Sequence, residues 1–343
     1  MLFANLIITR WVDMSSETSN FRVLVPKDRY LEVLGFTIYA YLAKKITPYS
    51  GMFGGVRTLG QYVENFIYGK IAEIALQIFL KEKLDLETLT DVDLVDFIEG
   101  VYLPDLIAVK RGSDYEALKL WVEVKEVRRD QRWFLIPASA VRSRPYDVYD
   151  AVWVGLPDAH IAWLVKHVPE VMNRMSNEWK KLVSDIEKNV ENVPCEIVGF
   201  VAWNEVNLAI KARENDSKAK QELDRRFDQR FWFYFTGDES LFDPLDPSWR
   251  GSKVGENIGF YLTKLREVSN WDSLRNLIQE NKRLIDPITK GSKTKRGDFP
   301  KICGKPYGDL REFAQKCIEI QLNMMKKQYG SILRSKSWFE QPF

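Results

Sequence analysis

Histidine, cysteine and long apolar runs are what this 343-residue chain has least of. Its two histidines, His160 and His167, and three cysteines, Cys195, Cys303 and Cys317, fall in no paired spacing, which leaves too few ligands for an ordinary zinc site. Neither histidine stands in a motif that would activate a nucleophile, so Ser139 within Pro137-Ala138-Ser139-Ala140 is not read as one. There is no phosphate-cradling glycine loop and no dinucleotide fingerprint. No stretch reaches the 18 or so uncharged apolar residues that a membrane-spanning helix needs. Met1–Thr9 is apolar, but it lacks a basic leader and Arg10 closes it early, so it does not read as a signal peptide. Free buried thiols in a reducing compartment, and hence a cytoplasmic protein with no membrane partner, are the expectation. A formal net charge of +2 excludes a wholly basic chain and permits strong local patches.

What the chain does have is core material. Hydrophobic residues make up 45% of it, enough for one large domain or two ordinary ones. Strand-like stretches at Asn5–Val12 and Phe21–Val25 precede an apolar helical pattern around Tyr30–Lys44, which Pro48 and the glycines at 51, 54 and 55 break. Leu59–Lys83 reads as a long helix. Within its Ile71–Leu80 half the only polar residues are Glu73 and Gln77, four apart and therefore on one face. Later expectations are a short helix begun around Ile136–Val141 with Ser139 as N-cap, a buried strand at Ala151–Gly155 and a polar helical region over His160–Asn192. A strand at Glu196–Trp203, helices over Ser269–Leu284 and Asp309–Tyr329, and a Pro/Gly-rich loop at Phe242–Asn257 complete the reading. The order of elements indicates an α/β core. The division expected is an extension at 1–58, a core at 59–204 and a C-terminal region at 205–343 that serves recognition or dimerisation.

Charge is segregated along the chain. Between Glu82 and Asp105 eight acids face one lysine, Lys83. Between 125 and 144 the sign reverses: Lys125, Arg128, Arg129, Arg132, Arg142 and Arg144 face only Glu126 and Asp130. A second basic stretch, Lys290–Lys305 with Lys293, Lys295 and Arg296 at its centre, has the Gly and Ser content of a loop. The first stretch suits phosphate contacts and a solvated turn equally; the second suits a loop that orders on DNA but reads by default as an exposed one. Arg225, Arg226 and Arg230 stand beside Phe231–Phe235, which is aromatic on both faces and reads as a buried strand more readily than as a base-stacking one.

The stretch with chemistry in it is Leu103–Val109 followed by Leu118–Val127. In the second segment Leu118, Leu120, Val122 and Val124 share one strand face and Glu123 and Lys125 lie on the other. If the two segments are neighbouring strands, Asp105 converges on that pair. Two carboxylates suit Mg²⁺, a hard ion that keeps several waters, and a lysine two residues from one ligand can orient or deprotonate such a water. Acid-x-Lys triplets are common; Glu178-Trp179-Lys180, Asp216-Ser217-Lys218 and Glu280-Asn281-Lys282 are others in this chain. The first follows Pro157-Asp158 but lies in a helical pattern, where residues two apart diverge by about 200°.

Pro104-Asp105 … Glu123-Val124-Lys125 resembles the signature of the PD-(D/E)xK, or restriction-endonuclease-like, nucleases, over roughly residues 59–156. The resemblance implies an α/β (α+β) core in which a central mixed sheet is flanked by helices, with N- and C-terminal additions. It further implies Mg²⁺-dependent cleavage of double-stranded DNA, with Mn²⁺ able to substitute, leaving a 5′-phosphate. Asp105 and Glu123 would be metal ligands and Lys125 would lie near the attacking water. Glu73, at the position where the family's preceding helix often carries a glutamate, would be a further ligand. Arg128, Arg129, Arg132, Arg142, Arg144, Lys293, Lys295 and Arg296 would contact DNA. A type II restriction enzyme acting as a homodimer is the expected biology. The alternatives are a repair, junction-resolving or CRISPR-associated nuclease, or an inactive nucleic-acid-binding module of the same fold.

Overall fold

The computed structural model describes residues 20–42, 58–94, 103–129, 131–143, 145–235, 256–285, 301–302, 305–306 and 310–329. Its centre is a four-stranded mixed sheet. Strand β1 (Arg22–Pro26) leads directly into helix α1 (Lys27–Leu42), and the long helix α2 (Leu59–Leu84) follows. Thr58 and Gln61 form a reciprocal capping box at the start of α2, and Asp85 closes its end in the left-handed conformation with Lys81 and Lys83 in the last turn. Ile67, Ile71, Ile74, Ala75, Leu76 and Leu80 are completely buried, because α2 runs under the sheet and touches β1 and the strands described next. Burial on this scale stabilises by roughly 1.5–3 kcal/mol per large apolar side chain, before conformational entropy is subtracted.

Three short strands form a side sheet: β2 (Thr88–Leu89), β3 (Ala108–Arg111) and β4 (Asp114–Ala117), antiparallel in the order β2-β3-β4. The chain then enters β5 (Val122–Val127), crosses to β6 (Trp133–Pro137) and helix α3 (Ala138–Ser143), and returns as β7 (Val148–Val154) parallel to β5. A 3₁₀ stretch (His160–His167) and helices α4 (Pro169–Arg174) and α5 (Asn177–Glu191) lead to β8 (Asn192–Ala202). The central sheet has the order β1-β8-β7-β5, so β5 is an edge strand. A bulge interrupts the β7–β8 pairing between Ala151 and Val152, beside Gly199 at φ +154°. A Cβ on Gly199 would stand 2.7 Å from Ser269 Oγ, whose hydroxyl accepts the Phe200 N–H at 2.8 Å, so the position excludes a side chain.

The remainder comprises α6 (Trp203–Arg213), α7 (Ser217–Phe227), β9 (Trp232–Phe235), β10 (Asn257–Tyr261), α8 (Leu262–Val268) and α9 (Trp271–Glu280). A small hairpin of β11 (Lys301–Ile302) and β12 (Lys305–Pro306) precedes the last helix, α10 (Leu310–Tyr329). Strands β6, β10 and β9 make a second antiparallel sheet. The architecture is therefore mixed α/β, a mixed sheet flanked by helices. The largest apolar cluster runs from Val23 on β1 to Ile278 on α9, so segments near both ends of the sequence complete one core.

Several elements depart from the sequence-based expectation. Leu103–Val109 is not a single strand beside Leu118–Val127: only residues from 108 onward are extended in a ladder, and they pair with β2 and β4. Trp133–Pro137 is a strand rather than the approach to a helix, and α3 begins at Ala138, so Ser139 lies inside it and is not the cap. The region His160–Asn192 is divided into three helical pieces. The N-terminal stretch Asn5–Val12 lies outside the described residues.

Candidate active site

Asp105 sits just before β3, in a segment that lies against the free edge of β5. Its N–H donates to Val122 O (3.0 Å), and its Oδ2 accepts the N–H of Val124 (2.6 Å). These two contacts straddle Glu123, so the carboxylates of Asp105 and Glu123 become neighbours although their segments share no ladder. On β5 the valines at 122 and 124 are buried in the main core, while Glu123 and Lys125 are half-buried and joined by an ion pair. Lys125 keeps about a third of its side chain exposed (35%), so the cluster opens to solvent there.

Helix α2 supplies the other wall. Lys70 and Glu73 are buried on it, one turn apart, with Lys70 Nζ 2.8 Å from Glu73 Oε2. The same ammonium reaches both oxygens of Asp91, at 2.9 and 2.8 Å, and lies near the faces of Phe36 and Phe66. One turn further along, Gln77 donates to Thr88 O (2.6 Å) and Asp93 Oδ2 (2.8 Å), and accepts from Arg29 (3.0 Å). Arg29 also pairs with Asp93 at 2.7 Å. The polar seam of α2 thus meets the acidic segment after it, and Asp91 and Asp93 find their cations on α2 and α1. Lys70 and Asp91 were not singled out from the sequence; the i, i+3 spacing of Lys70 and Glu73 was the available signal.

The electrostatics follow from crowding. Burial, reinforced by the charge of Glu123, pushes the Asp105 carboxyl up to about 7, against the pull of Lys70, the Val124 N–H and Lys125. Glu73 is pushed well above the ordinary carboxylate range by burial and then by Asp105, with Lys70 opposing. Burial works against the charge on Lys125, but Glu123 and the other acids outweigh it and hold the lysine above its ordinary value. Lys70 is held up in the same way by Asp91 and Glu73. Four carboxylates (Glu73, Asp91, Asp105, Glu123) face two ammoniums (Lys70, Lys125). With all four ionised the site is short of positive charge, and the raised Glu73 and Asp105 carboxyls reflect it.

That deficit is what a divalent cation would fill. Among the described residues no group of three or more His, Cys, Asp or Glu side chains is gathered as metal ligands. Glu73 is turned to Lys70, so the expected three-acid set is not assembled. Asp105 and Glu123 remain as a two-carboxylate oxygen donor set, which fits Mg²⁺, an ion that commonly takes one or two protein carboxylates and fills its remaining positions with water and phosphate. It does not fit zinc, for which nitrogen or sulfur donors are absent from the cluster.

The basic residues expected at DNA divide into three groups. Arg128 and Arg132 are exposed in the turn that leaves β5. Arg129 in the same turn stacks over Trp153 at 4.2 Å. Arg142 is engaged with Glu256 and the Tyr234 hydroxyl, each at 2.6 Å, and so is tied to the second sheet. Arg144, Lys293, Lys295 and Arg296 lie outside the described residues. No helix of the described residues is long and apolar enough to cross a membrane. No family model, curated protein or solved structure matches this chain.

Proposed function

We propose that the chain is a metal-dependent nuclease whose site is Asp105, Glu123 and Lys125, with Glu73 and Lys70 behind them. The observation that carries this reading is the pair of backbone contacts by which Asp105 brackets Glu123 at the edge of β5. Carboxylates are brought together there at an electrostatic cost that no structural requirement of the sheet explains. The mixed sheet, the helix beneath it and the acid-x-Lys strand at its edge also agree with the restriction-endonuclease-like core that the sequence motif resembles.

Asp105 and Glu123 would hold Mg²⁺, which supplies Lewis acidity and a water of lowered pKa when bound. Asp105 must be ionised to serve, and its carboxyl near 7 makes the site competent toward neutral and alkaline pH. Lys125, ionised and partly exposed, is positioned to place its ammonium against a phosphate oxygen or to hold a water by hydrogen bonding. Lys70 holds Glu73 in place from behind and offsets its charge. The substrate is phosphodiester in class. Double-stranded DNA cut at a specific sequence by a homodimer, as a type II restriction enzyme does, is the form of the activity we favour.

Plasmid DNA incubated with Mg²⁺ tests the reading. Asp105→Asn keeps an acceptor for the Val124 N–H, so the loop stays anchored while the charge is lost. It should slow cleavage by at least ~10²-fold, as should Lys125→Ala. Undiminished cutting by either variant sinks the site. Discrete fragments from linear duplex would favour restriction, and preference for branched DNA would favour a repair or junction-resolving role.

A further inference from the structure

The aromatic strand β9 is not closed into the core. Its two faces differ. Trp232 and Tyr234 pack against the second apolar cluster, whereas Phe233 lies on the opposite face, above the backbone of β10. A Cβ on Gly259 would fall 2.3 Å from the Phe233 ring, so glycine there is what lets the ring lie flat on the sheet. Trp133 meets the same ring edge-to-face at 4.7 Å. Phe233 is thus fixed in orientation and remains only half-buried. Among the described residues no strand pairs with the outer edge of β9.

Along that edge, between β9 and helices α6 and α7, runs a cleft of about 510 Å³. Its walls carry Trp232, Phe233 and Tyr234 together with Arg213, Lys220 and Arg230. Arg213 lies 6.0 Å from the Tyr234 ring centroid, and neither it nor Lys220 has a carboxylate partner among the described residues. Arg230 is paired with Asp228 at 2.8 Å. The acid on the wall, Asp224, is occupied by the Trp232 indole N–H at 2.7 Å. Unpaired cations interleaved with oriented, half-exposed rings are the chemistry of a nucleobase and its phosphate, since every base offers a π-face and stacking needs no particular sequence.

We propose that this cleft binds an unpaired nucleotide segment, with a base against Phe233 and the backbone crossing the strand edge to set its phosphates on Arg213 and Lys220. The assignment deepens the nuclease reading and rests on it for the identity of the nucleic acid. The two sites are connected through the second sheet. The turn carrying Arg128 and Arg132 joins the end of β5 to β6, and β9 is two strands from β6, roughly 10 Å at the usual spacing. The substrate would then present a single-stranded or displaced stretch to this sheet. A phosphorylated peptide would have the charge for Arg213 and Lys220 but no use for the rings.

Fluorescence anisotropy with a short labelled oligo(dT), and with a duplex of equal length, both in EDTA so that no cleavage contributes, decides the matter. The oligo(dT) should bind at least about tenfold tighter than the duplex. Phe233→Leu should weaken it by about tenfold, within the range for loss of one stacked base. Arg213→Glu with Lys220→Glu should weaken it further and lower the salt slope by about 1.4, two single-strand phosphate contacts. These two cations are exposed, so that double variant keeps the test valid if Phe233→Leu does not fold. Equal affinity for duplex, or oligo(dT) binding unmoved by the charge variant, overturns the cleft. Full cleavage by Asp105→Asn would overturn the catalytic site and leave the cleft to be judged by the oligo(dT) result.

Discussion

Two carboxylates, Asp147 and Asp105, sit on either side of the start of β5 and are treated in opposite ways. Asp147 is completely buried and fully met: Oδ2 accepts the Trp121 N–H (2.7 Å) and Arg311 (2.8 Å), and Oδ1 accepts the N–H groups of Leu284 and Ile285 (2.9 and 3.0 Å). Arg311 in turn donates to Pro145 O and lies over the Trp121 ring at 4.8 Å. One carboxylate therefore ties together β5, the approach to β7, the end of the α9 segment and α10. Asp105 receives one N–H, from Val124, and has two acidic neighbours, Glu123 and Glu73. Four donors around one acid make a structural joint; four acids around two lysines make a site that stays unsatisfied until something cationic arrives.

The sharpest way to break this contrast is at Asp147. Asp147→Ala should cost roughly 3–5 kcal/mol, because it strands a buried guanidinium and three N–H groups at once. Arg311→Met should cost less, since Asp147 would keep three backbone donors and the methionine would still cover Trp121. Chemical denaturation reads both. A loss for Asp147→Ala below about 1 kcal/mol would mean that the joint is solvated and that the contrast is false.

Asp105 should make stability depend on pH. Its folded-state carboxyl titrates near 7, above the ordinary 3.8. The folded state therefore holds the proton more tightly, so the group's contribution is full below about pH 4 and is lost as pH rises through 7. Asp105→Asn, which cannot ionise, should gain stability relative to wild type across that window, seen as a Tm difference that moves in its favour between about pH 5 and pH 8. Mg²⁺ should reverse this in the wild type by binding the ionised form, raising Tm at the alkaline end and little at the acid end. Asp105→Asn should show no such Mg²⁺ response. An equal rise in both proteins would place the ion elsewhere.

How much of this was legible depended on whether the relevant contact was local. Helix α2 was visible because its apolar density, Glu73 and Gln77 all lie within one continuous pattern, and β5 because its alternation is regular. The position of Asp105 was not. Residues 103–107 look extended, but the polar hairpin Lys110–Asp114, turning at Gly112 with φ +59°, draws the following residues into a side sheet, and only the backbone of 105 returns to β5. Trp133–Pro137 became a strand by pairing with Asn257–Tyr261, more than a hundred residues away, which no local period announces. The donors to Asp147 come from positions 121, 284, 285 and 311. Such a joint has no signature in the chain.

The smallest effect is expected at a third acid, which refines the comparison. Asp150 lies on β7 beside Val124 and Phe200, completely buried, with neither oxygen hydrogen-bonded among the described residues. Burial alone pushes its carboxyl well above the ordinary range, so it is carried as the neutral acid. An amide of the same shape is then nearly isosteric with what is already there. Asp150→Asn should change stability by less than about 1 kcal/mol near pH 5. Because the wild-type group alone pays for staying protonated as pH climbs, the variant should draw ahead toward about pH 8. A loss of several kcal/mol near pH 5 in a denaturation series would show that Asp150 has polar partners, and β7 would then carry a second tethered acid rather than a neutral spacer beside β5.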